Sequence, residues 1–427
     1  MEIPPEICEK CKPFFEVLLQ RIIELEKKNQ ELERRLLAYE NAHTPPSKQQ
    51  RHYPKPEGSF GKRGAPQGHK GITREIPEPT ETKTLNLKNC PDCGLPLGKP
   101  KRIERRVVEE LPDPRPLRII EFFIPHYQCK KCCKEVVPAD AELPQSGRLG
   151  NNLQSEISLM KYEDRLPHRK IANTLNRQYD LDLSPATVLG VTKRVAAQLE
   201  PEYEKIREEI RTSSRANADE TGAKVEGKKW WLWLFMTAKS VLFTFRKRRE
   251  AKVIKEILGE NYKGILTVDG LKAYPKIVKT IQRCWAHLLR EAKFLAQKHK
   301  GQARILYESL CELFGRVKQK KVTYQKAISQ MKLFLGIAKA YQELRKIAVL
   351  LENGLESWFT CLLHENVEPT NNRAEQQIRE FVIQRKIYST FRSEQGPRTA
   401  EILLSLLATW RLRGFNPLRM LRTSLSS

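Results

Sequence analysis

No apolar run in this 427-residue sequence approaches the about 18 residues that a membrane-crossing helix needs, and the densest stretch, Trp230 to Met236, suits a buried strand. The N-terminal residues Met1-Glu2-Ile3-Pro4-Pro5 lack both the basic region and the apolar core of a secretory signal, so a cytosolic protein with no membrane partner is expected. Acidic residues are also scarce. There are 51 Asp and Glu against 77 Lys and Arg, a formal net charge of +26. A surplus that large points to a polyanionic partner, nucleic acid being the commonest, although part of it only solvates helix faces. In a reducing compartment the ten cysteines read as metal ligands or buried thiols rather than disulfides. With 40% hydrophobic residues the chain can fill more than one core, and its length implies several domains.

The first periodic segment is Leu18, Ile22, Leu25, Asn29, Leu32, Leu36 and Tyr39, whose alternating steps of four and three make an a/d seam. Asn29 at an a position favours an in-register parallel pair of helices, at a cost in stability. A single amphipathic helix packed on its own chain shows the same pattern. From His43 to Arg74, prolines and glycines alternate with seven Lys or Arg against the one acid Glu57, the composition of a flexible basic linker. Cys90-Pro91-Asp92-Cys93 and Cys129-Lys130-Lys131-Cys132 then flank a β-like stretch (Arg105 to Val108, Ile119 to Tyr127). Two such knuckles read as a zinc ribbon, four thiolates around one structural Zn²⁺. Cys133 competes with Cys132 as the fourth ligand, and Cys8-Glu9-Lys10-Cys11 is a lone knuckle that dimerisation would set beside its copy. Beyond it, Arg169 to Tyr179 is an amphipathic helix, and Ser184-Pro185 starts a second one carrying Val188, Val191 and Val195. The pair fits a helix-turn-helix as well as a plain helical connector.

The chemistry is expected further on. A short strand ends at Asp219; a turn at Glu226-Gly227 and strands Trp230 to Thr237 and Val241 to Phe245 follow. A helix from Glu250 to Leu258 leads to the strand Gly264 to Val268, which Asp269 closes. Three antiparallel strands, a crossover helix and a parallel strand begin a ribonuclease H-like fold, in which Asp219 and Asp269 become neighbours. Glu375 falls in the first turn of a helix opening at Asn371-Asn372. Three acids in one place repel one another unless a cation joins them, and Mg²⁺ (or Mn²⁺) takes such hard oxygen ligands for in-line phosphodiester attack. Two of them also have a structural explanation, Asp269 as a turn former and Glu375 as a helix-start charge and partner of Arg379, whereas Asp219 resists one because Asp is depleted within strands. Cys284-Trp285-Ala286-His287 lacks two partners for a zinc site and reads as packing or as DNA positioning, with Arg290 after it. Arg379, Arg385, Lys386, Arg392 and Arg398 are candidate phosphate contacts, Tyr388 and Phe391 candidate base-stacking rings, and Ala400 to Leu412 an amphipathic helix closing the core.

In this order the zipper, Gly68-His69-Lys70-Gly71, the paired knuckles, Asp219-Glu220-Thr221, Asp269-Gly270, Cys284-Trp285-Ala286-His287, Asn371-Asn372-Arg373-Ala374-Glu375 and Arg385-Lys386 resemble the transposases of the insertion-sequence-66 group. Departures are Ala65-Pro66-Gln67 for Gly-Gly-Gln and Leu288-Leu289-Arg290 for Ala-Arg-Arg. The resemblance implies a DDE transposase with Asp219, Asp269 and Glu375 as its metal-binding triad. It implies strand cleavage and transfer at terminal inverted repeats, double-stranded DNA of element ends and target as partner, a multimer, accessory proteins of the same element and a nucleoid-associated cytoplasmic location. The alternative is an inactive, dimeric zinc-ribbon DNA-binding regulator derived from such an element. The expected architecture is multidomain α+β: residues 1–42 with the lone knuckle and coiled coil, 43–75 a basic linker, 76–147 a zinc ribbon, 148–205 helix-turn-helix-like. A ribonuclease H-like core follows over 206–300, a helical insertion over 301–366 and core completion over 367–427.

Overall fold

The computed structural model describes residues 12–39, scattered positions between 78 and 138, and residues 140–426 apart from 300. The linker 43–75 and Cys8, Cys11, Cys90, Cys129, Cys132 and Cys133 lie outside the described residues. The chain divides into two compact units, residues 49–118 and residues 1–48 with 119–427. In the smaller unit the turn after Pro91 is closed by an antiparallel bridge between Asn89 and Pro96. Gly94 sits there at φ +73°, a conformation that glycine adopts without strain, and Cys93 is exposed.

In the larger unit, α1 (Lys12–Tyr39) is one continuous helix across the predicted seam. Its Leu18, Ile22, Leu25 and Leu32 are exposed; the side chains of Leu36 and Tyr39 lie outside the described residues. Strands β1 (Tyr127–Gln128) and β2 (Glu135–Val136) pair antiparallel. The longer β-like stretch anticipated here is not strand among the described residues, where Val108, Ile119 and Phe123 stand exposed.

Helices α2 (Asn151–Tyr162), α3 (His168–Tyr179) and α4 (Pro185–Arg211) open the main body. Both predicted helices are present. Asp180 ends α3 in the left-handed region, and the Asn176 side chain brackets the turn by bonding both N–H and C=O of Leu183. Ser184 caps α4 by accepting the Thr187 N–H at 3.1 Å, and Val188, Val191 and Val195 are fully buried.

The sheet that follows is mixed. Strands β3 (Arg215–Val225), β4 (Lys228–Met236) and β5 (Val241–Arg246) form an antiparallel meander; α5 (Ala251–Leu258) crosses over to β6 (Ile265–Val268), parallel to β3, and β7 (Thr280–Arg283) adds a second parallel edge. The order is β5-β4-β3-β6-β7. Strand β3 does not end at Asp219. Pairing with β4 carries it on from Asp219↔Leu234 to Val225↔Lys228, where Glu226 (φ +50°) and Gly227 (φ +76°) make the tight turn that matches strand twist. Strand propensity argues against Asp, but a ladder held on both sides of it prevails.

Five helices then leave and return: α6 (Trp285–Lys298), α7 (Gln302–Lys318), α8 (Tyr324–Ala340), α9 (Arg345–Glu352) and α10 (Thr360–Leu363). They bury a core of their own around Trp285, whose ring meets Phe314, Trp358 and Phe359 at 5.5–6.0 Å. The chain returns through α11 (Asn372–Tyr388), α12 (Gln395–Leu412) and α13 (Pro417–Leu425) to the main core.

Helix α12 is not amphipathic in the solvent sense: Pro397 and every residue from Thr399 to Trp410 are buried. Its polar stripe Glu401, Ser405, Thr409 faces the edge strand β5. The Val241 N–H donates to Thr409 Oγ1 (2.9 Å), Phe243 N–H to Ser405 Oγ (2.8 Å) and Phe245 N–H to Glu401 Oε1 (2.6 Å). Four helical residues rise about 6 Å and two strand residues about 6.7 Å, so the two repeats run nearly in step. Arg246 and Arg398 both pair with Glu401 and offset its burial. Among the described residues, no helix is long and apolar enough to cross a membrane.

Candidate functional site

The site lies where β3 outruns its neighbour. Pairing of β3 with β6 stops at Asn217↔Thr267, and Asp269 leaves the end of β6 while β3 continues through Asp219. Residues 50 positions apart thus meet: ligand oxygens of Asp219, Glu220 and Asp269 all lie within 4.8 Å of one another. Local bonds fix the two aspartates, Asp219 Oδ1 accepting the Glu220 N–H at 2.8 Å and Asp269 Oδ1 the Leu271 N–H at 3.2 Å. Glu220 is the member that sequence reading passed over. Its side chain is fully buried, paired with Arg249 on one oxygen and accepting the Tyr274 hydroxyl at 2.6 Å on the other.

Burial, together with the charges of Asp269 and Glu220, pushes the Asp219 carboxyl up to about 8. Without a cation the cluster therefore holds a proton near neutrality.

Glu375 is brought in by Asn371, a fully buried side chain just ahead of α11. Its Nδ2 donates to the Ala218 carbonyl at 2.8 Å, its Oδ1 accepts from Asn217 at 2.9 Å, and its backbone N–H reaches Cys284 Sγ at 3.1 Å. Asn371 is thus a latch between α11 and β3, beside the aspartates; the Asn-Asn pair in the sequence was its only trace. The charge of Glu375 is felt at Asp219, but its carboxylate is turned to α6. Oε1 is 3.5 Å from His287 Nδ1 and Oε2 is 3.7 Å from Arg290. The ion contacts of Glu375 are thus with α6 rather than with Arg379. Cys284, His287 and Glu375 also place ligand atoms within 4.8 Å of one another, so the Cys-x-x-His pair gains a third partner from α11. Burial lowers the His287 imidazole, against the pull of Glu375 and Asp269.

The other candidates separate. Arg290, Arg379, Lys386 and Arg392 are exposed. Arg385 is partly buried and donates to the Gly222 carbonyl, bracing α11 on β3. Arg398 is taken up by Glu200, Glu204 and Glu401 over the Tyr203 ring, so it is no free phosphate clamp. Nor are the two rings free to stack on bases. Phe391 packs on Phe245 at 5.2 Å and on Phe381 at 6.3 Å and its backbone bonds Lys224 and Glu226, while Tyr388 lies under Lys161.

An acid cluster at the open end of a mixed α/β sheet, with a helix latched beside it, defines a candidate divalent-cation centre. The family model described as Transposase IS66 family matches residues 146–399, more than half of the chain and all of this site, and the chain belongs to that family. It is 28% identical over 335 residues to y4qI, an uncharacterized protein of Sinorhizobium fredii, an alignment covering 67% of this chain and 61% of that protein. A second uncharacterized protein of the same organism, y4jD, is 23% identical over 373 residues, covering 76% of this chain and 72% of its own length.

Proposed function

We propose that the chain is a metal-dependent transposase that cleaves and transfers DNA strands at the terminal inverted repeats of an insertion sequence. The observation that carries this is the meeting of Asp219 and Asp269 where the parallel pairing of β3 and β6 ends, with the Asp219 carboxyl raised by burial and by its acidic neighbours. Such a cluster fits Mg²⁺ or Mn²⁺, which require oxygen donors, and Asp219, Asp269 and Glu375 are the residues that would hold them. When bound, the cations supply activation of the attacking hydroxyl and charge neutralisation at the leaving oxygen. The chain's own part is positioning: Asn371 ties the Glu375 helix to β3, and the exposed Arg290, Arg379, Lys386 and Arg392 offer positive charge to phosphates.

The strand order and the β3–β6 neighbourhood support a ribonuclease H-like core over 206–300 and 367–427 with a helical insertion at 301–366. In the same reading, 1–42 dimerises through α1, 43–75 is a basic arm, 76–147 holds structural Zn²⁺ on Cys90, Cys93, Cys129 and Cys132, and 148–205 contacts DNA. Accessory proteins of the same element complete the assembly.

A second reading, an inactive DNA-binding regulator, draws on the Glu375 carboxylate facing His287 and Arg290 rather than the aspartates. One assay separates the two. With terminal-repeat DNA and Mg²⁺ or Mn²⁺, the wild type should join strands and Asp219→Asn should fall to background. A wild type as inert as the mutant favours the regulator, and equal activity in both sinks the assignment of Asp219.

A further inference from the structure

The group formed by Cys284, His287 and Glu375 differs in chemistry from the carboxylates beside it. Two helix starts converge there. Cys284 immediately precedes α6 and His287 stands three residues on, so thiol and imidazole share one face; Glu375 occupies the matching first turn of α11. The three ligand atoms already lie within 4.8 Å, and the His287–Glu375 pair is at 3.5 Å. Around a tetrahedral zinc with ordinary bond lengths, ligand atoms stand roughly 3.3–3.7 Å apart, so approaches of at most about 1.5 Å, shared between two side chains, close the group.

Two further observations point the same way. Cys284 is buried, and its sulfur is fixed in place by the Asn371 N–H, which donates to it at 3.1 Å. Oε1 of Glu375 is buried and accepts no hydrogen bond. A buried carboxylate oxygen without a donor is costly unless something positive completes it.

We propose that Cys284, His287 and Glu375 form a binding site for a borderline-soft divalent cation, Zn²⁺ foremost, distinct from the hard-cation centre at Asp219 and Asp269. A sulfur, a nitrogen and an oxygen donor select Zn²⁺ over Mg²⁺. Thiolate and carboxylate together neutralise the ion's charge, and the cation displaces one proton from the thiol to solvent. Three protein ligands leave one position open. Occupancy commits Glu375 to the α6 side and withdraws it from the aspartates, a consequence that rests on the reading of Glu375 as a member of the catalytic triad; binding itself does not.

The test counts Zn²⁺ bound by the full-length protein under reducing conditions, with proton release followed in parallel and no DNA present. The ribbon cysteines are common to all variants and cancel in the differences. Cys284→Ser and the partly exposed His287→Gln should each bind one fewer Zn²⁺ than wild type and lose the matching proton. Asp219→Asn should keep that equivalent. Equal counts in wild type, Cys284→Ser and His287→Gln overturn the site. A lost equivalent in Asp219→Asn as well overturns its separateness. Because no turnover is read, either result is independent of whether the protein joins DNA.

Discussion

At the scale of single residues, the decisive group is Asp219, whose carboxyl is raised from 3.8 to about 8 by burial and by Asp269 and Glu220. For an acid raised on folding, the stabilising form is the protonated one. Its contribution is complete below about 3.8 and is lost as pH rises through about 8. In a chelator, Asp219→Asn should therefore flatten the decline of melting temperature across that window and melt higher than wild type near its top. Adding Mn²⁺ should restore the wild type and leave the mutant unmoved. Parallel pH profiles for the two proteins would contradict this origin of the shift. Asp219 and Asp269 were legible in the sequence as a pair, because strand Asp is rare and the expected crossover made Asp269 its neighbour, although Asp269 alone read equally as a turn former. Glu220 and Asn371 were not, because burial turns an ordinary surface residue type into a site member only through partners that are distant in sequence, Arg249, Tyr274 and Ala218.

Among the elements, α12 shows how a correct period can carry the wrong meaning. Glu401, Ser405 and Thr409 recur every four residues, which reads as a solvent-facing stripe, yet each accepts an N–H of the β5 edge. Helical periodicity reports a polar face and is silent on whether water or a strand lies opposite. Ser405→Ala leaves the buried Phe243 N–H without an acceptor, and chemical denaturation should show a loss of about 1–3 kcal/mol. Thr409→Val removes the acceptor for Val241 and should cost a similar amount, about 1–3 kcal/mol. Losses within the scatter of surface substitutions would mean that the edge finds other partners. Strands β4 and β5, the crossover and the α3–α4 pair were read to within a few residues, because turn chemistry at Glu226-Gly227 and the Ser184-Pro185 cap are local signals, whereas the continuation of β3 past Asp219 depends on its pairing with β4.

For the whole molecule, charge and the exposed helix α1 set the expectations. If binding to terminal-repeat DNA runs through Lys and Arg contacts, log K should fall linearly with log salt concentration, and a flat response in filter binding or anisotropy would refute the phosphate-contact reading. If the seam of α1 pairs two copies, Leu25→Lys with Leu32→Lys should convert a dimer to a monomer in sedimentation equilibrium; both side chains are exposed within one chain, so the fold should survive. The helical excursion between Asp269 and Glu375 has its two ends side by side, and along its length it also bonds to β7 through Arg283, Gln282 and Thr360. Trp285 N–H bonds the Pro369 carbonyl at 3.0 Å, and Asn371 N–H the Cys284 sulfur at 3.1 Å. With the two ends pinned together, residues added at an exposed turn of the excursion cost only a slowly growing loop-closure entropy. The number of residues from Asp269 to Glu375 is then free to drift, while the separation of their carboxylates is held by the pins.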